Sequence, residues 1–214
     1  GVILQGLVSA LKDMHAINTT EAKLLLQDIN EHDWYPVSIV KDILLGLQEN
    51  GYFEKTQYFE AGFRFMERRM SFGVPDISFY DYIDFQRNSK GYKSVMRSTR
   101  RNTQFTDVLY HDEKKCEVLL SIESLFTPSF VEGLYYSGLM NTTDVSWLDV
   151  EFLKVNKSND SLYFKGELLI KYYLKPSKEV ISRVEAVADS INPNSIDDLT
   201  SDEVKYLYYS KKRL

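Results

Sequence analysis

Three histidines and one cysteine, His15, His32, His111 and Cys116, are the chain's whole stock of imidazole and thiol groups. His111 precedes Cys116 by five positions across a polar stretch, so a pair in which the imidazole takes the thiol proton is geometrically conceivable. Against that, Cys116 opens an alternating run with Val118 and Leu120, and a cysteine facing inward is normally an inert buried thiol. His15 and His32 fall at helix ends, where capping and surface roles are commonest. A single cysteine excludes an intramolecular disulfide and a multi-cysteine metal site, and accords with a reducing, cytoplasmic setting. Neither G-x-S-x-G, a P-loop nor H-E-x-x-H occurs. The expectation is a non-enzymatic protein with no catalytic residue and no metal ligand.

Charge is the next chemical resource. Lys93, Arg97, Arg100 and Arg101 are concentrated with few acids nearby. They are placed to hold an anionic ligand group at the mouth of a cavity or to contact a partner, unless they simply face solvent. Arg64, Arg68 and Arg69 lie among Glu60 and Glu67, and Glu60–Arg64 has the i,i+4 spacing of a surface pair. The net charge of −5 and pI near 5.3 argue against an extended nucleic-acid footprint. No apolar run approaches the roughly 20 residues of a membrane span, and the opening lacks a basic leader. The opening Gly1 and the closing "SKKRL" read as the ends of a piece cut from a longer protein.

These side chains must be positioned by the elements around them. The first hundred residues carry helical periodicity. Val2, Ile3, Leu7, Val8 and Leu11 share a side, and Asn18 with Glu21 has the spacing of a capping box. Pro36 suits a first helical turn, Val37, Val40, Ile43, Leu44 and Leu47 form a stripe, and Asn50-Gly51 ends it. Residues 57–70 repeat the pattern with Phe59, Phe63, Met66 and Met70; Ser78 with Asp81 starts another helix running toward Met96. After residue 102 the period falls to two. Cys116, Val118, Leu120 and Ile122 alternate with Glu117, Leu119 and Ser121; Leu148, Val150 and Phe152 share a face; and Leu162, Phe164, Gly166, Leu168, Ile170 and Tyr172 alternate with Tyr163, Lys165, Glu167 and Lys171, Leu169 being the apolar exception. "HDEKK" and "NKSND" read as hairpin connections, and helices are expected over 176–191 and 201–214.

The architecture expected is α+β: a helical N-terminal half, then an antiparallel sheet of two hairpins with an intervening helix, and C-terminal helices. Its parts are an N-terminal helical segment over 1–52, an α+β ligand-binding core over 53–175, and a C-terminal output connector over 176–214. The intervening helix, "SFVEGLYYSGLM" (129–140), carries Gly133 and Gly138 in three turns, although each interior glycine costs roughly 1 kcal/mol against alanine. Two uses present themselves: close approach of this helix to the sheet, or room for something between the layers.

Three segments, "YFEAGFRFMERRM" (58–70), "SFVEGLYYSGLM" and "DVEFLKVNKSNDSLYFKGELLI" (149–170), resemble the superfamily that contains 4-vinyl reductase domains, haem–nitric-oxide-binding domains and TRAPP transport-particle subunits. The later helix of that superfamily has the pattern aromatic-x-x-Gly-Leu-x-x-x-Gly, met here by Phe130, Gly133, Leu134 and Gly138. The resemblance covers roughly 35–175 and implies a hydrophobic cavity between helices and sheet, used for ligand sensing. The chain departs from the pattern in lacking the recurrent cysteines of 4-vinyl reductase domains. The Tyr-x-Ser-x-Arg of the haem branch finds only "MRSTR" (96–100), with Met96 in the tyrosine's place and no histidine suitably before it. The cofactor stays unknown, and haem by the usual histidine route is not expected.

The resulting expectation is a sensor of a small, mainly apolar or amphipathic ligand that relays to an output domain or partner protein, with homodimerisation open. Its pocket candidates are Phe59, Phe63, Met66, Phe130, Gly133, Leu134, Gly138, Val150, Phe164 and Leu168, with Tyr80 or Tyr135 as the polar contact. The alternative is an adaptor or dimerisation domain of the same fold with a filled core and no ligand.

Overall fold

The computed structural model describes residues 2–30, 32–36, 38–49, 54–71, 76–87, 105–157, 164–176 and 181–182. Among these, five helices precede the sheet: α1 (Val2–Asp13), α2 (Thr19–Asp28), α3 (Ser38–Glu49), α4 (Lys55–Ser71) and α5 (Phe79–Arg87). Helix α1 buries Leu4, Leu7, Val8 and Leu11 at three- and four-residue spacing, the stripe an amphipathic helix must cover. It ends at His15, whose φ of 57° is left-handed, and the Ala16 N–H closes the turn on the Leu11 carbonyl at 2.9 Å. Asn18 caps α2, its Oδ1 accepting the Thr20 N–H at 3.0 Å. Ser78 and Asp81 cap α5 reciprocally, the Asp81 N–H donating to Ser78 Oγ and the Ser78 N–H to Asp81 Oδ2.

Two hairpins follow, β1 (Thr106–Asp112) with β2 (Glu117–Ser124), and β3 (Val145–Lys157) with β4 (Phe164–Leu174). Between them runs α6 (Pro128–Met140). The strands are antiparallel in the order β1-β2-β4-β3, so β4 sits beside β2 and the two hairpins make one sheet. Leu120 stands opposite Leu168, and Ile170 lies between Val118 and Val150, so one face is a continuous apolar layer. The fold class is the expected α+β.

Helix α6 covers that layer. Thr127 caps it, its Oγ1 accepting the Phe130 N–H, and Pro128 takes the first turn, where its missing donor costs nothing. Unlike a surface helix, α6 is buried almost all round, from Phe130 to Leu139. It lies between α4 and the sheet, and one hydrophobic core runs from Leu7 of α1 through Phe65 of α4 and Phe130 of α6 to Leu168 of β4. No described helix is long and apolar enough to cross a membrane.

Cys116 departs from expectation in part: it packs half-buried against the core, but it stands in the β1–β2 turn rather than on the strand, with a left-handed φ of 55° and Sγ directed at the Glu113 carbonyl 3.5 Å away. The connection needs one residue in that region to close, and the position after Lys115 falls on the cysteine. The stretch 88–104, with the end of the helix expected toward Met96, and all but two residues of 177–214 lie outside the described residues.

Candidate functional site

The two glycines of α6 do not face the sheet. Gly133 sits in the groove of α4, where a Cβ would overlap the Phe59 carbonyl and crowd the Phe63 amide. Gly62 of α4 makes the reciprocal contact with the Phe130 carbonyl and the Leu134 amide. The helices therefore cross backbone to backbone at this pair. Gly138 makes room for the Tyr82 ring of α5, whose hydroxyl end lies where a Cβ would stand. The expectation that these glycines serve the helix–sheet approach, or leave space against the sheet, is corrected: they admit a neighbouring helix and a tyrosine.

The remaining pocket candidates separate into groups. Phe130, Leu134 and Tyr135 are buried on α6, Val150 and Leu168 on the sheet, and Met66 on α4; Phe130 packs against Phe65 of α4, with ring centroids 5.8 Å apart. The Tyr135 hydroxyl reaches Thr106 Oγ1 at 2.9 Å, a buried pair that ties α6 to β1. Phe59 and Phe63 lie half-buried at the flank of the α4–α6 crossing, with ring centroids 5.8 and 6.3 Å from Tyr136. Phe164 is half-buried at the far end of the sheet, edge-on to Phe152, whose ring lies over Gly166. Lys93, Arg97, Arg100 and Arg101 lie outside the described residues. Met66, Phe130, Leu134, Tyr135, Val150 and Leu168 thus belong to one hydrophobic core, with Phe59, Phe63 and Phe164 half-buried at its margins.

A polar cluster joins α5 to the sheet. Tyr172 of β4 is 3% exposed; its ring stacks on Phe79 at 4.2 Å between centroids. Its hydroxyl lies 2.7 Å from His111 Nε2 of β1 and 3.3 Å from the Tyr80 hydroxyl of α5. Burial, followed by the hydrogen bond with Tyr80, pushes the Tyr172 phenol far above its ordinary value, so it stays protonated. Asp144, at the start of the second hairpin, accepts the Phe79 N–H at 2.7 Å and fixes where α5 begins. Tyr80 and His111 are exposed, so the cluster runs from the core to solvent. The sequence marked Tyr80 as a polar contact and considered His111 only beside Cys116, not beside Tyr172. Its partner became visible only when β1 and β4 were set in one sheet, one strand apart.

Glu132 carried no signal in the sequence reading. It is 8% exposed on α6, and its Oε1 accepts the Phe152 N–H of β3 at 3.0 Å. The surface pair Arg64–Glu60 forms as expected, Nε to Oε1 at 2.8 Å, while Arg68 reaches across to Asp13 and ties α4 to α1. Among the described residues no group of three His, Cys, Asp or Glu is placed to hold a metal ion.

No family model matches this chain, and no curated protein matches it in sequence. Its fold is similar to solved H-NOX domains. One, from a study of haem distortion in the H-NOX family, superposes with a TM-score of 0.60 over 83% of this chain and 98% of that one, at 11% identity. An oxygen-binding H-NOX domain related to soluble guanylate cyclases gives 0.57 with the same coverages and 11% identity. A mutant of the T. tengcongensis H-NOX gives 0.57, covering 78% of this chain and 93% of that one, also at 11% identity. At that identity the likeness is one of fold: this chain has the architecture of an H-NOX domain.

Proposed function

We propose that this is a non-enzymatic sensory domain. It holds a small, mainly apolar or amphipathic molecule between its helical layer and its sheet and relays the bound state to an output module or partner protein. The observation that supports this most is the likeness to H-NOX domains across nearly their whole length. The apolar body of the ligand would meet Met66, Phe130, Leu134, Val150 and Leu168, and its polar end would meet Tyr80 and His111, the exposed members of the α5–sheet cluster. Binding would favour one placement of α5 against β4, and the segment after residue 176 would carry that bias onward in the cytoplasm.

Haem held through histidine or cysteine does not fit this reading. Such an iron needs an imidazole or thiolate turned inward. His15 and His32 are exposed, His111 Nε2 is engaged by Tyr172, and Cys116 lies in a turn with Sγ at the Glu113 carbonyl. Those four are all the chain has.

A second reading, an adaptor of the same fold with a filled core, is favoured by the backbone-to-backbone α4–α6 crossing and by Phe79, Tyr82, Phe130 and Tyr135, each under 2% exposed. One experiment divides the two. The purified chain is denatured, extracted and analysed by mass spectrometry, and in parallel titrated with the apolar dye anilinonaphthalene sulfonate. A stoichiometric small molecule, or saturable dye uptake weakened by Leu134→Trp, supports sensing. A clean extract with no saturable uptake supports the adaptor and defeats the sensor.

A further inference from the structure

We propose that the edge of β3 turned away from β4, which carries no strand among the described residues, is a self-pairing surface for a second copy of this chain, held closed by the carboxylate of Glu132. The direction of the backbone groups follows from one hydrogen bond. The Tyr172 N–H donates to the Cys116 carbonyl at 2.9 Å, so it points toward β2. Along a strand these groups alternate in side. Tyr172, Ile170 and Leu168 therefore face β2, while Tyr173, Lys171 and Leu169 face β3. Their partners Trp147, Asp149 and Glu151 turn toward β4, which leaves Leu148, Val150 and Phe152 directing their N–H and C=O groups away from the sheet.

At Phe152 that outward N–H is taken by Glu132 Oε1. Among the described residues β3 is an edge strand, with no strand on the side away from β4, and such an edge is a template for another strand. Native proteins blunt such edges with bulges, lysines and covering groups. Three of these devices coincide here: the register shift between Phe152 and Lys154, Lys154 itself, and the Glu132 carboxylate.

What the clasp covers is self-complementary. The bulge makes Leu153 the extra residue, so Val155, opposite Gly166, again directs its backbone to the edge away from β4. In an antiparallel pairing about a two-fold axis at Phe152, Val150 stands opposite Val155 of the second copy. Glu151 falls opposite Lys154 of that copy, and symmetry makes each contact twice. Leu153 and Val155, 56% and 45% exposed, supply apolar surface for the junction. The central pair needs the Phe152 N–H that Glu132 holds, so clasp and pairing exclude each other at that position.

The test is the mass of the full chain by size-exclusion chromatography with multi-angle light scattering. Glu132→Ala is expected to double the mass relative to wild type. Adding Val155→Pro, which removes an edge donor, is expected to restore it. Glu132→Asp, which keeps the charge but draws the carboxylate back, is expected to double the mass as well; Glu132→Gln, which keeps an acceptor oxygen, is expected to leave it unchanged. The proposal is overturned if folded Glu132→Ala and Glu132→Asp run at the wild-type mass, if the doubling is indifferent to Val155→Pro, or if the products are open-ended aggregates. It is also overturned if neither variant folds by circular dichroism, since Glu132 then serves the α6–β3 packing alone.

Discussion

Gly62 and Gly133 each lie in the groove of the other's helix, every missing Cβ leaving room for a carbonyl oxygen of the opposing backbone. The contact is reciprocal: Gly133 meets the carbonyl three residues before Gly62, and Gly62 the carbonyl three residues before Gly133. Such an approach lets side chains on both flanks interlock, with Phe65, Phe126 and Phe130 on one side and Phe59, Phe63 and Tyr136 on the other. Dispersion across that crossing offsets the helix propensity that each glycine forgoes.

Gly133→Ala is expected to destabilise the fold by about 1–3 kcal/mol, since the methyl meets main chain rather than a movable side chain. Gly46→Ala in α3 is the control. A Cβ there meets nothing within 4 Å, and the change is expected to stabilise by about 0.5–1 kcal/mol. Opposite signs in thermal unfolding confirm the crossing; a stabilising Gly133→Ala removes it.

Gly138→Ala meets the far end of the Tyr82 ring instead. Its cost is expected to shrink when Tyr82 is also replaced by leucine, giving a coupling of about 0.5–3 kcal/mol in a double-mutant cycle from urea titrations. Additive effects would show that the two residues do not share that space.

The Tyr172 phenol is raised above its ordinary value, chiefly by burial and then by Tyr80. A raised pKa means the folded state favours the neutral phenol. The stability it contributes is whole below the unfolded value of about 10 and is lost as pH climbs beyond it. Urea unfolding compared between neutral pH and about pH 11 is therefore expected to show a steeper alkaline loss in wild type than in Tyr172→Phe. At neutral pH the same variant, deprived of contacts with His111 and Tyr80, is expected to lose about 0.5–1.5 kcal/mol. Equal alkaline slopes would contradict the buried phenol.

Thr127→Ala removes the side chain that accepts the Phe130 N–H at the start of α6 and is expected to cost about 0.5–2 kcal/mol in thermal unfolding, with Thr127→Ser close to wild type. An unchanged midpoint in Thr127→Ala would show that Pro128 and packing alone fix this end.

Much of the fold was legible along the chain because its signals are local. Asn18, Ser78 and Asp81 cap helices as their types require, and the alternation in 164–172 placed Leu168 and Ile170 inward. Cys116 packs against the core as its parity suggests, yet it was assigned to the strand wrongly, because a residue at a strand's end keeps the strand's parity while the turn sets its φ. The candidate site was legible as a collection of apolar positions on α6, β3 and β4, but not as an arrangement. His111 and Tyr172 are 61 positions apart, and nothing in either neighbourhood announces the other.

By itself, then, the sequence determined most of the helices and strands among the described residues, which face of each is apolar, and that the fold is α+β, since periodicity and capping act between neighbours in the chain. Only the tertiary structure decided what those faces meet: Gly133 against α4 rather than the sheet, Tyr172 beneath His111, and Glu132 on the outward N–H of Phe152. Hydrophobic burial requires a covered surface without naming its cover, whereas a backbone contact or a hydrogen bond selects one partner through geometry that exists only once the layers are stacked.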